Sequence, residues 1–461
     1  MAAQYRTDIS VEELEIILQP QTARTPLKFG GVVVESVPFC RIRAVVENGD
    51  HEVAEGWGGI FLMDQWGWPD PAVSHEDKQR VMQRVLDDYV HLVMTHPGTF
   101  HPIELFIALE GDLARINERV CAEEGVAVPQ PFLGALVCAS PVDAALHDAF
   151  GNVNGIDSYR GYGPEFMDDL SGFLGPDFVG QYVEHFIRPA YKPKVPVFHL
   201  VGGLDKLTRD ELDGTDPDDG LPSCLADWIA FEGMYCLKVK LRGNDLDWDV
   251  DRMIAVHDVG REELDRIGQS EMHLTADTNE MCESPQYIVE MLQRIRQRSP
   301  ETFERTLYIE QPTGRDLDEA GWDMTPIAAL KPVIVDESLT TLESFDRAME
   351  LGWSGVALKT CKGHSSDMLF VAKAAKRRIP YAVQDLTNPS LALIHSVGLG
   401  ARINTIMGVE ANSRQFFPDS TPEAERRVHE GIFRLEGGEA DTSSLQGTGL
   451  GYQMDRIISG D

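Results

Sequence analysis

Tyr235-Cys236-Leu237-Lys238-Val239-Lys240, lying between Gly233 and Gly243, sets two lysines two residues apart in an apolar run. On a β-strand successive side chains point to opposite faces, so residues i and i+2 share one. Both ammonium groups therefore project to the same side of the strand. Burial and a neighbouring like charge each disfavour the charged form of lysine, which suits such a pair to taking a proton near neutral pH. Two lysines at a strand end also arise when both simply reach into water. The meaning of the pair therefore rests on what the surrounding strands carry.

From residue 195 onward, short apolar runs alternate with amphipathic stretches. The runs cover 195–201, 234–241, 271–277, 306–310, 332–336, 355–359, 379–385 and 403–409, with helical patterns at 286–298, 342–351 and 366–377 between them. Eight strands alternating with helices over roughly 225 residues is the pattern of a closed parallel barrel. A doubly wound open sheet is the competitor, and no glycine-rich phosphate-binding turn follows a first strand to support it. Residues 205–220 carry seven acids and read as a solvated insertion, since they lack the spacing of a calcium loop.

The first 195 residues read differently. Residues 1–25 are a polar lead-in with a helical patch at 11–18, followed by a strand over 31–43. Asn48-Gly49 is a hairpin signal, and His51 to Ala54 resumes the strand. The stretch 56–71 is dense in glycine and aromatics and reads as a loop, either closing over a ligand or lying on the surface. Residues 76–150 are helical, and the clearest helix starts at Ser140-Pro141, a cap followed by proline at the first helical position. Its apolar stripe is Val142, Ala145, Leu146, Ala149 and Phe150. Residues 156–195 form a bridge with a helix near 179–187, and the glycine-rich tail 432–458 is expected to return to the N-terminal region. The expected division is 1–195, 196–425 and 426–461.

The formal net charge is −34. Such a surface repels phosphate backbones and anionic headgroups, so neither nucleic acid nor a membrane is an expected partner. Seven cysteines without Cys-x-x-Cys spacing read as reduced thiols, with no zinc site or disulfide frame. No signal peptide and no apolar run of about 18 residues is present, and a cytoplasmic location is expected.

Five of the eight strands end in charged residues. The second ends in Lys238 and Lys240, the third in Asp277, the fourth in Glu310, the fifth in Asp336-Glu337-Ser338 and the sixth in Lys359. Ends of parallel barrel strands converge on one face, where barrel enzymes place their chemistry. Three carboxylates on consecutive strands form an all-oxygen site suited to a hard cation. The bland alternative is a set of buried ion pairs with the flanking lysines.

This series resembles the enolase superfamily, in its mandelate racemase and muconate lactonizing enzyme branch. Lys238-Val-Lys240 is similar to the family's Lys-x-Lys base motif, and Asp277-Thr-Asn279, Glu310-Gln311-Pro312 and Asp336-Glu337-Ser338 to its three metal-ligand motifs. Lys359 resembles the facing lysine of the muconate lactonizing and dipeptide epimerase type, and the stretch Val142 to Asp148 resembles the helix leading from cap to barrel. The resemblance implies an α/β fold, a modified TIM barrel of (β/α)7β type, under an α+β cap built from both chain ends. It also implies one Mg²⁺ held by Asp277, Glu310 and Asp336, a small-molecule carboxylate as substrate, and a homo-oligomer. The implied chemistry is abstraction of the proton α to that carboxylate to give a metal-stabilised enediolate. Lys240 would be the base, Lys238 the partner of the carboxylate, and Lys359 the group on the opposite face.

Departures from the pattern are informative. Lys359-Thr-Cys-Lys362 keeps a second lysine, but Gly363-His364-Ser365 replaces the usual ending. Gln384-Asp385 and Glu410 close strands seven and eight without a recognisable specificity signature. His147 stands where the cap helix usually has tryptophan and is read as structural. Glu337 competes with Asp336 as the fifth-strand ligand. The expected activity is that of a lyase or isomerase, with dehydration of an acid sugar or similar compound, racemisation, epimerisation and cycloisomerisation left open. A barrel that binds a carboxylate and Mg²⁺ without turnover is the alternative. A metal-dependent hydrolase lacks its His-x-His pattern. Specificity is expected from 25–31 and 56–68, with Trp57, Phe61 and Trp66 either offering an apolar surface or packing the cap.

Overall fold

The computed structural model describes residues 5–29 and 32–460. Glycines 30 and 31, within the expected specificity loop, lie outside the described residues. Three long antiparallel strands, β1 (Ile9–Phe29), β2 (Val32–Asn48) and β3 (Val53–Phe61), form the first sheet in that order. Helices α1 (His75–Thr95), α2 (Pro102–Glu124) and α3 (Phe132–Val153) follow, and α3 packs across β2 and β3.

Several sequence expectations are corrected here. The patch 11–18 is strand, not helix. A register shift between Val11 and Glu13 brings Leu14 and Ile16 onto the core-facing side, and this bulge turns a period of two into an apparent helical spacing. The glycine-rich run 56–59 is strand rather than loop. A Cβ on Gly56 would sit 2.1 Å from the Ala149 nitrogen, and one on Gly58 would sit 2.1 Å from the Pro141 oxygen, so these glycines let α3 press its backbone onto the sheet. Ser140-Pro141 lies inside α3 and does not begin it. Proline there leaves the Val137 carbonyl without its helical donor, and the Ser140 hydroxyl supplies one at 3.0 Å. The helix expected over 179–187 shrinks to a single 3-10 turn, Val183–His185.

The second sheet is a barrel of eight parallel strands: β4 (Lys194–Val201), β5 (Cys236–Lys240), β6 (His273–Asp277), β7 (Thr306–Glu310), β8 (Val333–Val335), β9 (Gly355–Leu358), β10 (Tyr381–Val383) and β11 (Val409–Glu410). Neighbours pair in sequence order and β11 closes onto β4, Val409 against Val197. Seven helical connections join the eight strands, so the architecture is (β/α)7β. Tyr308, Ile334, Ala357 and Ala382, from four successive strands, pack together inside it. The eighth strand is shorter than the expected 403–409. The chain passes so close to β4 at Gly408 (φ 54°) that a Cβ would lie 1.8 Å from the Pro196 oxygen, and pairing starts only beyond that point.

The tail adds β12 (Glu439–Asp441) antiparallel to β4 and then reaches α3, where the Leu450 N–H donates to Asp148 at 2.7 Å. The insertion after β4 is docked through Arg24 of β1, whose guanidinium pairs with Asp219 at 2.5 Å. All seven cysteines are buried and free. No described helix is long and apolar enough to cross a membrane.

Candidate active site

The strand register assembles the site. Lys240, Asp277 and Glu310 are direct neighbours across β5, β6 and β7, each at its strand's last position. Asp336, Lys359 and Gln384 follow the last residues of β8, β9 and β10, and Glu410 ends β11. Consecutive strands thus deliver polar side chains to the same end of the barrel.

Lys238 Nζ is the electrostatic centre of one half. It donates to Glu310 Oε1 and Glu410 Oε2 at 2.8 Å each and lies 3.2 Å from Asp277 Oδ2. Burial works against its charge, but Glu310, Glu410 and Asp277 outweigh this and hold its pKa well above the ordinary lysine value. Lys240 Nζ lies 2.5 Å from Asp277 Oδ2 and its side chain is the more exposed of the two. Asp277 pays a burial penalty that Lys240 and Lys238 more than offset, so it stays below the usual carboxylate range.

In the other half, Lys359 Nζ pairs with Asp336 Oδ2 at 2.7 Å. Lys362 Nζ donates to the Asp336 backbone oxygen at 2.6 Å, to Asp336 Oδ1 at 3.0 Å and to the Ala357 oxygen at 3.3 Å. Burial disfavours an ionised Asp336, yet Lys359 and Lys362 hold its pKa below the ordinary range. Glu337 accepts the Trp66 indole N–H at 3.0 Å, while its Oε2 has no hydrogen-bond partner among the described residues. Burial, then Asp336, pushes its carboxyl up to about 8.

Among the described residues no three His, Cys, Asp or Glu side chains close around a single point; the lysines stand among the carboxylates. The donor set nonetheless fits a divalent cation. Glu310 is pushed well above the carboxylate range by burial and then by Asp277 and Asp336, so these three carboxyls crowd one another. Six carboxyl groups (Asp277, Glu310, Asp336, Glu337, Asp385, Glu410) stand against four amino groups (Lys238, Lys240, Lys359, Lys362), a formal excess of two that a bound cation would offset and that otherwise raises the Glu310, Glu337 and Asp385 carboxyls. Hard oxygen donors with that excess suit Mg²⁺.

Gln384, Lys362 and Glu410 are partners that motif reading left without roles. Gln384 donates to Glu310 Oε2, and Glu410 anchors Lys238 while accepting from Asn412 at 2.7 Å. For Gln384 and Glu410 the signal was positional, since one follows a strand end and the other closes a strand as the recognised residues do, whereas Lys362 lies on the turn beyond β9. Asp385 is buried, and burial, then Glu410, pushes its carboxyl up to about 8. His147 and His364 sit in a buried chain apart from the site. His395 Nε2, His364 Nδ1, Tyr162 Oη, His147 Nδ1 and Ser365 Oγ are linked at 2.8–2.9 Å, and Ser365 donates to Asp143 at 2.6 Å.

The N-terminal region closes the site. Leu27, Met63 and Trp66 line a cavity of about 30 Å³ together with Lys238, Lys240 and Lys359. The Lys359 ammonium lies 4.4 Å from the Trp66 ring centroid. Arg315 fastens the backbone oxygen of Trp66 and pairs with Glu280 at 2.5 Å. Of the three aromatics Trp57, Phe61 and Trp66, only Trp66 lines this cavity. Phe61 packs against Phe39 and Phe417, and Trp57 packs at the edge of the barrel core.

The sequence profile described as "Enolase C-terminal domain-like" matches residues 223–458, just over half the chain and all but the first barrel strand. The chain belongs to this enolase-like family. A comparison with curated proteins finds no match. Among solved structures, the fold is similar to muconate lactonizing enzymes and dipeptide epimerases, members of the mandelate racemase and muconate lactonizing branch. The muconate lactonizing enzyme from Mycobacterium smegmatis, complexed with muconolactone, superposes at a TM-score of 0.62 and 15% identity, covering 96% of both chains. The corresponding enzyme from Pseudomonas fluorescens gives 0.58 and 16% over 98% of both. The dipeptide epimerase from Cytophaga hutchinsonii, complexed with Mg and D-Ala-L-Val, gives 0.55 and 14% over 90% of this chain and 89% of that one. At these identities the enolase-like likeness is one of fold.

Proposed function

We propose that this protein is a Mg²⁺-dependent enzyme that removes the proton α to a substrate carboxylate, with Lys240 and Lys359 acting from opposite faces. One observation carries the reading: the same small cavity is lined by Lys240 from the second barrel strand and Lys359 from the sixth, with the Asp277, Glu310 and Asp336 strands between them. Membership of the enolase-like family and the Mg and dipeptide bound to a structural neighbour support it. Residues 196–425 would form the catalytic barrel, and 1–195 with 426–461 the cap.

Asp277, Glu310 and Asp336 would hold the ion, which when bound would neutralise the substrate carboxylate and the charge that develops on it. Lys238 is committed to three carboxylates and keeps its proton, so it contributes positive charge and orientation, not base catalysis. Lys240 Nζ is the group placed to accept the α-proton. Lys359 Nζ, on the other side, returns a proton to the opposite face or assists a leaving group. Two opposed lysines thus serve racemisation, epimerisation, cycloisomerisation or dehydration. Trp66 covers Lys359 and excludes water from it.

The test is a screen of N-acyl amino acids, dipeptides and acid sugars for turnover with and without Mg²⁺. Turnover that requires Mg²⁺ is expected. Tight binding of a carboxylate with no turnover of any class would instead mark a binding barrel.

A further inference from the structure

The oxygens of Asp277, Glu310 and Asp336 are not held in the same way. Asp336 has an ammonium group on each oxygen, Lys362 on Oδ1 at 3.0 Å and Lys359 on Oδ2 at 2.7 Å. Asp277 Oδ2 meets two, Lys240 at 2.5 Å and Lys238 at 3.2 Å. Glu310 has Lys238 on Oε1 at 2.8 Å, whereas its Oε2 accepts from the side-chain amide of Gln384.

Gln384 is placed by the barrel itself. It follows Val383, the last residue of β10, and its backbone N–H donates to the Leu358 carbonyl of β9 at 2.9 Å. The residue is buried, and its side chain reaches from the seventh barrel strand to the end of the fourth. The difference between its amide and the lysines matters to a cation. An ammonium group on a ligand oxygen repels an incoming divalent ion. An uncharged amide fixes the carboxylate without that repulsion, and the oxygen it touches keeps a second lone pair. A loaded site needs Glu310 ionised and therefore purely accepting, so the amide nitrogen is the end of Gln384 that must face it. Side chains that hold metal-ligating carboxylates orient them for the ion.

We propose that Gln384 is a positioning residue for the divalent ion: it holds Glu310 Oε2 with an uncharged donor, so that this oxygen receives the ion. The seventh strand thereby takes part in loading the site while leaving the ion's charge unopposed at that oxygen. The proposal rests on the reading of Asp277, Glu310 and Asp336 as the metal ligands.

The test titrates Mg²⁺ by calorimetry into the metal-free full chain, Gln384→Met and Gln384→Lys, and measures the Tm of each without metal. Gln384→Met keeps an unbranched side chain of similar size but donates nothing. Its Mg²⁺ dissociation constant should rise by about 10–100-fold, with the metal-free Tm within about 3 °C of the parent's. Gln384→Lys keeps a donor but adds a like charge, and should weaken Mg²⁺ binding at least as much. A role confined to packing would instead lower the metal-free Tm and leave the Mg²⁺ affinity unmoved. Crystals of the parent soaked in Mn²⁺, located by its anomalous scattering, give a readout that needs no variant. The ion should contact Glu310 Oε2 while Gln384 Nε2 keeps its bond to that oxygen. Three results would overturn the proposal and leave the metal site standing: parental Mg²⁺ affinity in either variant, an ion on Asp277 and Asp336 that misses Glu310 Oε2, or a Gln384 amide turned away from it. A parent that binds no Mg²⁺ would overturn both.

Discussion

Replacing Lys362 with methionine tests the charge balance of the site without removing a proposed acid or base. The Lys362 ammonium is fully buried and holds three oxygens, two of them from Asp336. Breaking a buried pair by removing one partner costs about 3–5 kcal/mol. Asp336 keeps Lys359 at 2.7 Å, so the loss should fall at the low end, about 3 kcal/mol. At ~2.1 cal/mol/K per residue, unfolding 461 residues carries an entropy of about 1 kcal/mol/K, and Tm should fall by about 3 °C. The variant also raises the formal excess of carboxyl over amino groups in the site from two to three. Mg²⁺ should therefore raise the variant's Tm by more than it raises the parent's. Adding Asp336→Asn should cost less than the sum of the two single losses, because each single variant already breaks the Lys362–Asp336 pair. Calorimetry on the parent, the single variants and the double variant, with and without Mg²⁺, measures all of this. An unchanged Tm, strictly additive effects, or a smaller Mg²⁺ response in Lys362→Met would refute the reasoning.

Other expectations concern the scaffold. Asp367 is buried, and its carboxyl is pushed up to about 8, chiefly by burial. Between its unfolded value near 4 and about 8 the unfolded chain releases this proton while the folded one keeps it, so the residue lowers stability as pH rises, by up to about 1.4 kcal/mol per unit. Asp367→Asn should therefore gain stability relative to the parent between pH 5 and pH 8 in urea unfolding; a constant difference between them would contradict this. Ser140→Ala should cost about 1–3 kcal/mol by orphaning the Val137 carbonyl, and Pro141→Ala in the same chain should restore stability by supplying an N–H. Failure of that rescue would show that the hydroxyl does not serve this carbonyl.

Much of the barrel was legible because its strands show as apolar runs, five of them closed by a charged residue. Lys238, Lys240, Asp277, Glu310, Asp336 and Lys359 stand out since charge at the end of an otherwise buried strand is costly without a purpose. Three kinds of information were not local. The bulge after Val11 changes the facing of a whole strand from one residue. The glycines of β3 answer to a helix about 90 residues away, and Gly408 answers to β4, so their composition alone reads as loop. Gln384, Glu410 and Lys362 acquire meaning only once the barrel closes and brings them onto Glu310, Lys238 and Asp336.

The most direct test of the central claim is α-proton exchange in D₂O with Mg²⁺, followed by NMR on whichever carboxylate the screen identifies. The parent should incorporate deuterium at the α-carbon. Lys240→Ala and Lys359→Ala should each lose about 10²–10⁴-fold in the proton transfer they serve, each retaining the parent's Tm response to Mg²⁺. Exchange at the parental rate in both variants would contradict the two-lysine account.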